Sequence, residues 1–119
     1  MTYEDFDKFC SCLPETTTVI QWGGSHVWKV GGKVFAIGGW GDEEPGFTFK
    51  VDDEAYDFLR DQPGLRPAPY FASRGMKWIQ HHTEPGLSDA QLRDFITQSH
   101  YIVSLGLTKK RQKELGLNQ

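Results

Sequence analysis

Apolar residues near the start of the chain recur at helical spacing. Phe6 and Cys10 fall on one face of a helix, and Thr2 with Asp5 three residues later is typical of a capped helix start. Pro14 lacks an amide hydrogen and disfavours a helical conformation at the residue before it, so the first helix is predicted to end there.

The following part of the chain is rich in β-branched and aromatic residues that alternate with polar ones, which predicts strands. The clearest signal is the pair Gly31 and Gly32 between two such segments, because glycine permits the positive φ angles of a tight hairpin. Prolines and glycines favour an ordered loop over residues 66–75. The predicted strands are residues 16–22, 26–30, 33–37, 47–51 and 76–82.

Three further helices are predicted from capping residues. Asp52 or Asp53 can begin a short helix, and Thr108 can cap another in the tail. Ser88 with Gln91 forms a capping box before the longest apolar stripe of the chain. This order of elements predicts an α+β fold, with a two-layer arrangement of an antiparallel sheet of about five strands packed against helices.

Length and composition limit the classes of protein to which this chain can belong. The 119 residues are the usual size of one domain, so residues 1–119 are predicted to form a single domain. No segment approaches the roughly 18 consecutive apolar residues that span a bilayer. Cys10 and Cys12 stand two residues apart, which disfavours a disulfide within a helix. We therefore expect a cytoplasmic monomer that does not associate with membranes.

Charge weighs against tight binding of a polyanion, since thirteen Lys and Arg oppose sixteen Asp and Glu for a formal net charge of −3. Screening confines each charge to a neighbourhood of about 8–10 Å at physiological salt. A local cationic surface is therefore compatible with this composition.

Four parts of the chain together resemble the MmcQ/YjbR family of small bacterial proteins. They are Phe-Cys-Ser-Cys-Leu-Pro-Glu at 9–15, Trp-Lys-Val-Gly-Gly-Lys-Val-Phe-Ala at 28–36, Arg-Pro-Ala-Pro-Tyr at 66–70, and Trp78. The resemblance covers nearly the whole chain. It implies an α+β fold with helices flanking a sheet, and a DNA-binding role proposed from a "double wing" of β-hairpins. It implies no catalytic residues.

A DNA-binding role predicts cationic side chains that contact phosphates of double-stranded DNA without strong sequence preference. Lys29 and Lys33 flank the predicted hairpin turn and could present ammonium groups near its tip, although lysines on solvent-facing strands also discourage edge pairing. The acidic loop at residues 42–44 would place negative charge at another hairpin tip. The candidate nucleic-acid-binding residues are Lys29, Lys33, Lys50, Arg66, Arg74 and Lys77.

The alternative is a protein-interaction or small-ligand-binding module with a groove near Trp40, Tyr70 and Trp78. An enzyme is the least favoured class, because Cys10 lies on the apolar stripe and no acid and base are paired in the sequence. Adjacent strand residues such as His81 and His82 point to opposite faces and make a poor chelate, so no metal or cofactor is predicted.

Overall fold

The structure is a computed structural model that describes residues 1–39 and 46–119. Residues 40–45, with Trp40 and the acidic residues of the predicted loop, lie outside the described residues. A short 3₁₀ helix spans Ala72–Arg74. In chain order the other elements are α1 (Tyr3–Ser11), β1 (Thr16–Gln21), β2 (Ser25–Val30), β3 (Lys33–Gly38), β4 (Phe47–Lys50), α2 (Asp53–Leu59), β5 (Leu65–Pro67), β6 (Trp78–His81), α3 (Asp89–Leu105) and α4 (Lys109–Leu115).

All pairings in the sheet are antiparallel, and the strand order is β1-β2-β3-β4-β6-β5. The predicted α+β class with an antiparallel sheet is confirmed. The sheet has six strands rather than about five, because Leu65–Pro67 pairs with β6 where an ordered loop was predicted from residue 66. This strand is short and lies at the edge of the sheet, where proline is tolerated.

Helix starts follow the capping signals of the sequence. Thr2, Asp52, Ser88 and Thr108 each accept a backbone hydrogen bond at the first turn of a helix. Ser88 and Gln91 form the predicted capping box. No helix in the described part of the chain is both long and apolar enough to cross a bilayer.

The main core lies between the helices and one face of the sheet, called the helix face below. Phe6 of α1 and Ile96 of α3 are fully buried there. Because side chains alternate along a strand, every second strand residue contributes to the same core. Its largest fully buried strand residues are Phe35, Phe47, Phe49 and Ile79.

The predicted hairpin is formed by β2 and β3, with φ of +56° at Gly31 and +89° at Gly32. Its tip packs against the C-terminal part of the chain. A Cβ atom at Gly31 would lie 2.7 Å from Leu107 Cδ1 and 3.1 Å from Leu115 Cδ1. One side of the turn therefore packs against these leucines at Gly31, whereas Gly32 is exposed and a Cβ there would have no neighbour within 4 Å.

The opposite face of the sheet, called the second face below, also buries side chains. Val27 and Ile37 are register partners on this face, as are Thr48 and Gln80, and all four are buried. Val19 on the edge strand β1, which pairs with Val27, is by contrast exposed. The sheet therefore has side chains packed on both faces at its centre and an exposed edge at β1.

Candidate ligand-binding groove

A groove of about 720 Å³ extends from Trp22, just after β1, to the C-terminal end of α3. We call it the aromatic groove. Four aromatic side chains and two lysines line it, together with aliphatic residues, and no carboxylate is among its described lining residues. The aromatic and cationic lining residues are Trp22, Tyr70, Phe71, Trp78, Lys33 and Lys50.

Strand register brings the centre of the groove together. Lys50 at the end of β4 pairs with Trp78 at the start of β6, so their side chains leave the same face of the sheet. The neighbouring residues Phe49 and Ile79 point to the helix face and belong to the core. Alternation along two paired strands thus places a cation beside an aromatic ring on the second face.

The segment between β5 and β6 adds an array of rings. Phe71 stacks on Trp78 with centroids 4.5 Å apart and an interplanar angle of 14°. Tyr70 meets Phe71 edge-on at 5.8 Å, and the Arg74 guanidinium lies 4.7 Å from the centre of the Tyr70 ring. These contacts hold the loop against the sheet and leave Tyr70 56% exposed.

Trp78 contributes an unsatisfied donor as well as a ring. The residue is 4% exposed, and its indole Nε1 is buried with no hydrogen-bond partner in the described chain. An orphaned buried donor costs about 1–3 kcal/mol.

Lys33 is positioned by the end of α3. Its Nζ donates to the carbonyl oxygen of Gly106 at 3.0 Å, and a cation there interacts favourably with the helix C-terminus. The ammonium group therefore lies at the margin of the groove, at the end of α3.

The other predicted cations have different surroundings. Lys29 faces Val34 across the β2–β3 pair. Arg66 donates from Nε and Nη2 to Gln80 Oε1 at 3.0 and 2.7 Å, and Gln80 donates to Thr48 Oγ1 at 3.2 Å. This chain of hydrogen bonds links β5, β6 and β4 on the second face, so Arg66 has a structural role there.

The structure thus brings together only part of the predicted site. Lys33, Lys50, Tyr70 and Trp78 line one groove, and Arg74 contacts Tyr70. Lys77 instead lies 4.6 Å from the Tyr56 ring of α2, because it alternates to the side opposite its neighbour Trp78. Arg66 and Lys29 are not among the described lining residues of the groove, and Trp40 is outside the described residues.

Sequence reasoning did not select Trp22 for the site. Trp22 is 53% exposed and has a φ of +53°, directly before the turn glycines Gly23 and Gly24. A glycine-rich turn is an unusual position for a core side chain. The position of Trp22 beside this turn was therefore the signal in the sequence that its ring is exposed.

The side chains of Cys10, Asp7 and His26, which lie outside the groove, take part in the packing and hydrogen bonding of the fold. Cys10 is fully buried on α1, and burial, with a smaller effect of the Asp7 carboxylate, raises the pKa of its thiol. The Asp7 carboxylate accepts hydrogen bonds from His26 Nδ1 at 2.7 Å and Trp28 Nε1 at 2.8 Å. Across residues 1–39 and 46–119, no group of three or more His, Cys, Asp and Glu side chains is placed to hold a metal ion.

His81 is a buried titratable side chain at the end of β6. Its Nδ1 accepts from the Leu87 amide at 3.2 Å, and its Nε2 is buried without a hydrogen-bond partner in the described chain. Burial lowers the pKa of His81, and the nearby carboxylates of Glu84 and Asp89 offset part of this effect. The folded state therefore favours the neutral form of the His81 imidazole.

Acidification is expected to destabilise the protein through His81. Because the pKa of His81 is lower in the folded state, the unfolded chain binds more protons, and stability falls as pH drops below about 6.5. The loss is at most about 1.4 kcal/mol per pH unit. In His81→Asn, whose amide oxygen can still accept from Leu87, urea unfolding at about pH 7.5 and 5.5 should show a smaller difference. An unchanged difference would contradict this.

Comparisons with known proteins agree with this fold. A family model described as YjbR matches residues 11–102. The crystal structure of the Deinococcus radiodurans protein DR2400, described with the domain DUF419, superimposes with a TM-score of 0.83 at 24% sequence identity. The match covers 98% of this chain and 88% of that one. The search of curated proteins found no match. Since the family model spans most of the chain and the expected fold is present, this chain belongs to the MmcQ/YjbR family.

Proposed function

We propose that this protein binds DNA through the aromatic groove and the cations beside it. The observation that carries the proposal is that Lys33 and Lys50 share one groove with four aromatic rings. Aromatic rings beside ammonium groups match the two chemical parts of a nucleic acid, bases and phosphates.

The local charge matters more than the net charge of −3. At physiological salt each charge acts over about 8 Å, so a phosphate in the groove interacts mainly with Lys33 and Lys50. The excess of carboxylates over the whole molecule lowers the long-range attraction. Weak binding with a marked salt dependence is the expected result.

The test is a titration of fluorescently labelled DNA at several salt concentrations. Two phosphate contacts predict that the logarithm of affinity falls with the logarithm of salt with a slope near −1.4 to −1.8, depending on the DNA form. Lys50→Gln removes one ammonium group, so the slope should decrease in magnitude by about 0.7–0.9 and binding should weaken at low salt.

Lys8→Gln is the matched control, because Lys8 is an exposed lysine on α1 outside the groove. It changes the net charge by the same amount and should leave the slope unchanged. Absence of binding at tens of micromolar in low salt, or equal effects of the two variants, would refute the proposal.

A small-ligand-binding module is the second candidate. The groove volume of about 720 Å³ lies within the range of about 300–1,000 Å³ of small-molecule sites. An aromatic sulfonate dye tests it by fluorescence. If this candidate is correct, the dye binds to the wild type, its binding is weaker in Lys50→Gln, and DNA does not displace it.

A further inference from the structure

The shape of the hairpin turn argues against insertion into a duplex groove. A β-ribbon that enters the major groove needs a projecting tip. One side of the β2–β3 turn packs against Leu107 and Leu115 at Gly31, which limits how far the turn can enter a groove. Lys33 at this hairpin donates to Gly106 of the same molecule, which directs its ammonium toward α3.

The groove instead offers surfaces suited to unpaired bases. Trp22 and Tyr70 line it and are 53% and 56% exposed. Bases within a duplex are stacked on one another and present only their edges, whereas unpaired bases can stack on aromatic side chains. A groove of about 720 Å³ accommodates a few nucleotides of one strand.

Polar groups in the lining complete the match. Lys33 and Lys50 supply ammonium donors among the lining residues, with Lys50 beside Trp78. An unpaired base exposes ring and keto acceptors that pairing would occupy, and the sugar-phosphate backbone supplies anionic oxygens.

On the basis of the proposed function, we infer that the aromatic groove binds single-stranded DNA in preference to duplex DNA. Bases stack on Trp22 and Tyr70, and phosphates contact Lys33 and Lys50. The inference goes beyond the proposed function, because it specifies the form of DNA that is bound and the rings that contact it.

The test compares a labelled oligothymidine of about twelve nucleotides with a duplex of the same length, at low salt, by fluorescence anisotropy. Stacking available only in the single strand predicts at least about tenfold tighter binding of the oligothymidine. Tryptophan fluorescence should also be quenched when the single strand is added.

Trp22→Gly and Tyr70→Gly remove the rings at positions that favour glycine, since their φ angles are +53° and +73°. Each variant should weaken single-strand binding by about 5-fold to 150-fold. Tyr101→Ala is the matched control, because Tyr101 is also 56% exposed but is not a described lining residue. Thermal unfolding verifies that each variant is folded.

The outcomes separate this inference from the proposed function. Equal or tighter binding of duplex, with the effect of Lys50→Gln retained, overturns the single-strand inference and leaves DNA binding in place. Single-strand binding that is insensitive to both ring deletions, or equally sensitive to Tyr101→Ala, also overturns it. If neither form of DNA binds, both fail.

Discussion

Replacing Gly64 with alanine is expected to lower the free energy of unfolding by about 3 kcal/mol or more. Gly64 has a φ of +85°, and an added Cβ would overlap the Thr83 carbonyl oxygen and approach the Gly86 amide nitrogen to 2.5 Å. These neighbours are backbone atoms next to Gly64 in the hydrogen-bonded loop, since Gly86 N donates to Pro63 O at 3.0 Å and His82 N donates to Gly64 O at 2.9 Å. The loop therefore cannot easily move aside. Urea unfolding measures the effect.

Gly75→Ala separates the two causes of this loss. Gly75 has a similar φ of +72°, and no described atom lies within 4 Å of its ideal Cβ position. Alanine there should cost only the left-handed conformation, about 1–2 kcal/mol. Similar losses in both variants would show that the close approach at Gly64 is unimportant.

Ser99→Ala is expected to destabilise the protein by about 2–4 kcal/mol. The buried Ser99 hydroxyl donates to Phe35 O at 2.6 Å and accepts from Lys50 N at 2.9 Å. It bridges β3 and β4 beyond their last paired residues, near the bulge in the β2–β3 register. Alanine would leave two strand backbone groups without this partner. Chemical denaturation measures the change.

Ser104→Ala is the control variant, because it removes a buried serine hydroxyl from the same helix without removing a bridge between strands. Ser104 is equally buried on α3, but its hydroxyl donates to Tyr101 O within the same helix and accepts from Asn118. Its removal should cost about 1 kcal/mol. If the two serine variants lose the same stability, the bridge between strands does not have the importance assigned to it.

Local signals predicted most of the fold. The capping residues Thr2 and Ser88 marked helix starts, because the hydrogen bonds involved span only three residues. Gly31 and Gly32 marked the hairpin for the same reason. The strand at Leu65–Pro67 was missed because three residues with a proline carry too little pattern, and its existence depends on pairing with β6.

The groove was predicted only in part, because its residues come together through long-range pairing. Tyr70 and Trp78 were named as ligand-binding candidates from their composition and position, and both line the groove. The pairing of β4 with β6 placed Lys50 beside Trp78, and strand alternation turned Lys77 toward Tyr56. Neither result could be obtained from the segments separately.

The packing of the β2–β3 turn against Leu107 and Leu115 has a consequence for the kinetics of folding. A two-glycine hairpin can ordinarily form early, because it closes a very short loop. Here the final packing of the turn requires leucines from the far end of the chain. This packing can therefore form only when a contact of high sequence separation forms. The pairing of β2 with β3 is local, but the packing of its turn is expected to be completed late, as contacts of high sequence separation are.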